Sequence, residues 1–194
     1  MKKNKLNKKD MRLPIFLYGS GVLREPAAEV DLEKKDEIMK LIADMKETLA
    51  YADGCGLAAP QVGVPSRVLI VDGRELVETY PYLKDFHRVM INPVVTMESG
   101  TQCEYSEGCL SVPGIYAEVK RPDRITVEYV NEDFRKVTEE FDKFACRMVQ
   151  HELDHLDGKM FVDRVAPIRR KMIARKLANI SHGKVSARYK TRID

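Results

Sequence analysis

The stretch Gln150-His151-Glu152-Leu153-Asp154-His155-Leu156-Asp157-Gly158 constrains this 194-residue chain more than any other. It contains His-Glu-x-x-His. Residues four apart on an α-helix lie one above the other, so His151 and His155 can aim imidazole nitrogens at one metal ion. Glu152 stands beside the first of them, where a carboxylate can take a proton from water on that ion and pass it on. The bland alternative is a charged surface helix that happens to carry two histidines. Phe141, Phe144 and Met148 precede His151 at offsets of ten, seven and three. Those offsets share a helical face with His155, so the pair continues an apolar stripe and predicts a buried helix.

An open catalytic metal site usually has three protein ligands. The third can come from Cys103, Cys109, Cys146, His87, His182 or a carboxylate. Cys109 stands out by its setting, Glu107-Gly108-Cys109-Leu110-Ser111. Gly108 lets the backbone approach a ligand closely. The competing view is that these cysteines are reduced, buried and inert. Glu107 would be costly to bury alone, and Arg121 in the following strand is its expected partner.

Gln150–Gly158, Glu107–Ser111 and Gly54-Cys55-Gly56-Leu57-Ala58-Ala59-Pro60-Gln61 resemble, in order and spacing, the three signature motifs of peptide deformylases. The likeness runs from about Leu13 to about Val165. One departure is Cys55, where the family usually carries an aliphatic residue. The resemblance implies an amide hydrolase that removes the formyl group from N-formylmethionine of new polypeptides and releases formate. It implies Cys109, His151 and His155 as metal ligands and Glu152 as the proton carrier. Gln61 is implied as an oxyanion donor, for which the Leu110 N–H is a second candidate. Cys55, Phe144, Arg147 (through its stem) and Met148 match the family's methionine pocket, and Gly56 and Gly108 complete the expected substrate-binding set. Gly54 and Gly56 can leave backbone groups open to an extended peptide, or simply serve a turn. The cofactor is one divalent ion. The donor set alone favours zinc, whereas the resemblance implies Fe(II), with Zn(II) or Ni(II) in purified protein.

Composition sets the class. Hydrophobic content of 44% with 32% charged residues is ordinary for a globular protein, and the length suits one core. There is no apolar run near membrane-spanning length and no signal-peptide core, since Leu13–Tyr18 is short and broken by Pro14. The cysteines are not spaced as a disulfide framework, so a reducing cytoplasm is the expected location. The net charge of +3 is uneven: residues 1–12 carry +5 and residues 164–194 carry +9, which leaves the middle at −11. Basic ends are either solvated tails or contacts for a polyanion such as ribosomal RNA, without sequence-specific nucleic-acid binding.

The expected fold is α+β: short, mostly antiparallel strands around one buried motif helix, with an N-terminal and a C-terminal helix. Residues 1–10 are expected to be a disordered basic extension, 11–165 a single catalytic domain, and 166–194 a basic helix and tail. A first helix is expected over 31–51, capped by Asp31 and ended by Asp53–Gly56. Strands are expected at 67–71, 89–95, 115–121, 125–130 and 135–141, with a turn at Glu98–Gln102 and a hairpin turn at Asn131–Asp133. The motif helix should span about 142–156. The last helix, about 167–181, should present Ile168, Met172, Ile173, Leu177 and Ile180 as one apolar face.

Two other functions compete. A zincin-type endopeptidase needs a further histidine or glutamate ligand downstream; only His182 is there, in a basic tail, and Cys109 is left without a role. A ribosome-binding module with a relic site would have lost Cys109, Glu152 or Gln61, and all three are present.

Overall fold

The motif helix, α2 (Lys143–Leu156), lies at the centre, and every residue from Ala145 to Leu156 is buried. The computed structural model describes residues 12–194, so the expectation for residues 1–10 falls outside the described residues. Phe141 is not on the helix as the stripe predicted. It lies near the end of β6 (Lys136–Asp142), and reaches the same apolar cluster from the sheet. Burial on all sides means that the polar residues of α2 need protein partners, which sets the chemistry below.

Four strands precede β6 in one antiparallel sheet of order β2-β3-β4-β5-β6: β2 (Gly56–Ala58), β3 (Val68–Asp72), β4 (His87–Cys109) and β5 (Val112–Val130). β3 is apolar on both faces because both are covered. Leu69 and Val71 join Val149, Leu153 and Leu156 of α2. Val68 and Ile70 join Ile42, Met45 and Leu49 of α1 (Lys35–Ala52) on the other side. Such double cover gives a continuous apolar run rather than alternation.

Two expectations about strand length and turns are corrected. The strands expected to be short include β4 of 23 residues and β5 of 19. Residues 115–121 and 125–130 are one strand. Glu98–Gln102 is no turn but a bulge, where the register slips between Ser99 and Gln102 and Gly100 takes φ +80°. A bulge uses the same residue types as a turn, yet only bends the strand. Likewise α1 begins at Lys35, not at a cap on Asp31. The Asp31 carboxylate accepts the Glu33 N–H at 3.1 Å, a local turn that competes with capping. At the other end of α1 the left-handed residue is Asp53, φ +58°.

After α2 come α3 (Phe161–Arg164) and α4 (Pro167–Ser181). The chain then returns, and β7 (Thr191–Arg192) pairs in parallel with β1 (Ile15–Phe16). The apolar face expected on α4 is only half covered. Leu177 and Ile180 are buried in a cluster with Phe16, Leu17, Val112, Val119 and Phe161, whereas Ile168 and Met172 are 74% and 79% exposed. Periodicity marks an apolar stripe but does not say where its cover stops. Among the described residues no helix is long and apolar enough to cross a membrane.

This division is measurable. Leu177→Ala should cost about 2–5 kcal/mol of unfolding free energy, as buried leucine truncations do. Met172→Ala should stay within about 0.5 kcal/mol of the parent in the same urea titration. Equal losses at the two positions would mean that the first half of α4 is also packed.

Candidate metal centre

Glu107, near the end of β4, is the group around which the centre is built. Its side chain is buried, and four donors fill the two oxygens. Oε1 accepts Arg121 Nε at 2.8 Å and Arg147 Nη1 at 2.7 Å. Oε2 accepts Arg121 Nη2 at 2.9 Å and faces His151 Nδ1 at 2.9 Å. The carboxyl is therefore held well below the usual carboxylate range: burial opposes ionisation, but the bonds from Arg121 and His151 outweigh it. Arg121 also reaches Asp154 Oδ2 at 2.6 Å, and Asp154 is held by Arg164 at 2.7 and 2.6 Å.

With His151 Nδ1 facing Glu107, its Nε2 is the ring nitrogen turned away from the carboxylate, the one a neutral ring can offer to a metal. Cys109 Sγ lies 3.3 Å from His155 Nε2. Together Cys109, His151 and His155 place their ligand atoms within 4.8 Å of one another. Burial alone would raise the Cys109 thiol; the imidazoles of His155 and His151 reverse that and bring it down to about 5. A partly buried thiolate facing two buried imidazoles is a donor set that wants a cation between its members, so these residues fit one divalent ion.

Glu152 comes from the same helix turn. One of its buried oxygens, Oε2, has no hydrogen-bond partner among the described residues, and burial lifts its carboxyl to about 7 although His151 and His155 pull it down. Gly56 makes room for it, since a Cβ there would overlap the Glu152 carboxylate. Gln61 is buried. Its Oε1 accepts the Ala58 N–H at 2.8 Å, which turns Nε2 toward Cys109 Sγ at 3.4 Å and Ser111 Oγ at 3.3 Å.

These groups border a cleft of about 650 Å³. Cys55, Gly56, Gln61, Gly108, Cys109, Leu110, Phe144, Arg147, Met148, His151 and Glu152 all line it, and His155 sits behind. Cys55 is a neutral thiol, pushed up to about 11 by burial and by Glu152. Phe144 stacks on Tyr80 at a centroid distance of 4.4 Å, so its ring is fixed as a wall. Arg147 borders the cleft, but its guanidinium is engaged by Glu107, the Val119 carbonyl at 2.7 Å and the Cys103 carbonyl at 2.9 Å. β2, carrying Gly56, is the sheet's edge strand, and Gly56 lines the cleft.

Sequence reasoning missed three contributors. Asp154 and Arg164 complete the ion network, and a charged residue at an unassigned motif position gives no hint of burial. Ala187, Arg188 and Tyr189 line the cleft from the C-terminal tail, whose composition predicted only a solvated end or a polyanion contact.

Arg121→Met tests the network. It leaves Asp154 to Arg164 and Glu107 without its bidentate partner. Breaking a buried pair costs roughly 3–5 kcal/mol, so the unfolding midpoint should drop. Metal content after dialysis should fall as well, because His151 loses its fixed support. Parent-like metal content and stability would mean that Arg147 alone suffices.

A sequence profile of the polypeptide deformylase family matches residues 12–171. A peptide deformylase of Christiangramia forsetii is 41% identical over 189 residues, covering 94% of this chain and 96% of that protein. The structure of peptide deformylase from Thermus thermophilus superposes with a TM-score of 0.77 at 38% identity, over 89% of this chain and 99% of that one. A peptide deformylase from Synechococcus elongatus, solved in complex with actinonin, gives 0.74 at 35% identity, over 93% and 92%. With the three motifs brought to one buried centre and the match running through all of them, this chain belongs to the polypeptide deformylase family.

Proposed function

We infer that this protein is a metal-dependent hydrolase that removes the formyl group from the N-terminal formylmethionine of newly synthesised polypeptides, releasing formate. The observation that carries the assignment is the Cys109, His151 and His155 constellation, its two histidines buried, with a Glu152 oxygen beside it that has no partner among the described residues, at one wall of a cleft.

Cys109, His151 and His155 would hold the ion. When bound, a divalent ion acidifies water and polarises a carbonyl. Glu152 takes the proton of the attacking water and returns it to the amine as the formyl C–N bond breaks. Its raised carboxyl suits both halves of that task. The Gln61 amide and the Leu110 N–H face the oxygen that gains charge. Met148, Phe144 and Cys55 receive the methionine side chain, while Gly56 and Gly108 border the passing peptide. The open edge of β2 offers backbone groups for an added strand. We assign Fe(II) as the resident ion from the family resemblance, although the donor set alone favours zinc, with zinc or nickel as occupants of purified protein. A cytoplasmic location follows from the substrate. The catalytic unit of 11–165 is followed by a segment, 166–194, that we propose brings the enzyme to ribosomes. Its surface lysines and arginines on α4 support that role.

Formate release from a formyl-Met peptide by anaerobically purified protein is the direct assay, and its absence in metal-loaded protein would overturn the assignment. In that assay Glu152→Ala should keep its metal yet turn over at least about 10²-fold more slowly, the scale of a lost general acid–base group. Near-parent turnover with metal bound would remove Glu152 from the mechanism.

Ribosome binding should fall steeply between roughly 50 and 200 mM salt, as phosphate contacts do. Replacing the exposed Lys171, Arg175 and Lys176 with glutamine should reduce co-sedimentation and spare hydrolysis of a short peptide. Undiminished co-sedimentation at low salt would leave the charge of α4 without this role.

A further inference from the structure

Beyond α4 the chain does not trail into solvent. Gly183, at φ +67°, turns it back, and Val185 and Ile193 pack on the core beside α4. The Lys190 and Arg192 carbonyls accept the N–H groups of Ile15 and Leu17, both at 2.9 Å, and Asp194 accepts the Gly21 N–H at 3.1 Å. The segment 185–194 is thus a strap fixed at both ends. Between its anchors Ala187, Arg188 and Tyr189 face the cleft. The Arg188 guanidinium meets the Asp53 carboxylate across it.

Tyr189 makes the contact with consequences. Its hydroxyl donates to the Leu110 carbonyl at 2.7 Å. That carbonyl belongs to the Leu110–Ser111 peptide, whose own N–H, on Ser111, points at Cys109 Sγ at 3.4 Å. One peptide unit therefore links the strap to the thiolate. A phenol on its C=O polarises the unit and strengthens its N–H as a donor, by something like roughly 10–30% in condensed-phase estimates. Partners at this remove fix a metal ligand's orientation and tune its charge. The same bond immobilises Leu110, whose N–H faces the reacting oxygen in the mechanism above. The Leu110 side chain is meanwhile wedged against Gly54, where a Cβ would collide with it.

We propose that Tyr189 is a positioning residue of this enzyme: through the Leu110–Ser111 peptide it sets the Leu110 N–H and the Cys109 sulfur, and its ring, with Ala187 and Arg188, walls the cleft. The proposal rests on the roles assigned to Cys109 and Leu110 above. It makes the C-terminal strap part of the working site rather than a packing accessory.

The test is Tyr189→Phe in the full-length, metal-loaded protein, which keeps the ring and removes the hydroxyl. Turnover per bound metal on a formyl-Met peptide should fall roughly three- to tenfold, the worth of one ordinary hydrogen bond, with KM changed less than about twofold. Loss of metal to a chelator, followed by alkylation of Cys109, should quicken by a similar factor at a temperature where both proteins are folded. A variant that matches the parent in turnover per metal and in metal loss overturns the proposal. So does one that only melts earlier, since that marks a structural tyrosine. Were the parent inactive on formylated peptides, the deformylase assignment would fail by itself, and the chelator and alkylation rates would still judge Tyr189.

Discussion

The carboxylate of Glu107 is the interaction on which the centre depends. A buried, ionised glutamate is tolerable only when each lone pair finds a donor, and here Arg121, Arg147 and His151 supply four contacts. Three elements meet there: β4 brings Glu107, β5 brings Arg121, and α2 brings Arg147 and His151. The same bonds that let α2 sink into the sheet also orient the His151 ring. Folding and site geometry are thus one problem, and Asp154 with Arg164 extends the solution toward α3.

Burial then has different effects on the ionisable groups of one cavity. Cys109 faces two imidazoles and is brought down to about 5. Glu152, one residue from His151, lacks a donor on Oε2 and rises to about 7. Cys55, where burial and the Glu152 charge outweigh the pull of His151, stays neutral. One thiol is favoured as a thiolate, a second is kept neutral, and a carboxyl is raised toward neutrality. The differences come from neighbours, not from residue type.

The chain ends matter because the sheet leaves β2 at its edge. An edge strand leaves backbone groups without a neighbouring strand, and here Gly56 of β2 lines the cleft. Residues 187–189, in the segment anchored by the parallel pairing of β1 with β7, line it too. The cleft is in this way lined both by the edge strand of the sheet and by the C-terminal segment.

The sequence by itself determined the motif helix, its two histidines, the Glu107–Arg121 pairing and the bounds of α4. Each rests on spacing along one element or on the high cost of burying a lone charge, both local and strong. It also determined the α+β class and the family, through three motifs in order. The tertiary structure decided the rest. Whether Glu98–Gln102 turns the chain or only bulges it depends on the partner strand, Arg124 and Pro122, which the local residues do not name. Whether Ile168 and Met172 are covered depends on where the body ends beneath α4. Whether the Arg147 guanidinium is free or engaged within the protein depends on Glu107, 40 residues away in sequence and 2.7 Å away in space. Tyr189 sits in a basic, aperiodic tail, and only long-range backbone pairing carries it to Leu110. Contacts between residues far apart in sequence are stabilised by the collective packing of the core, which no local pattern encodes.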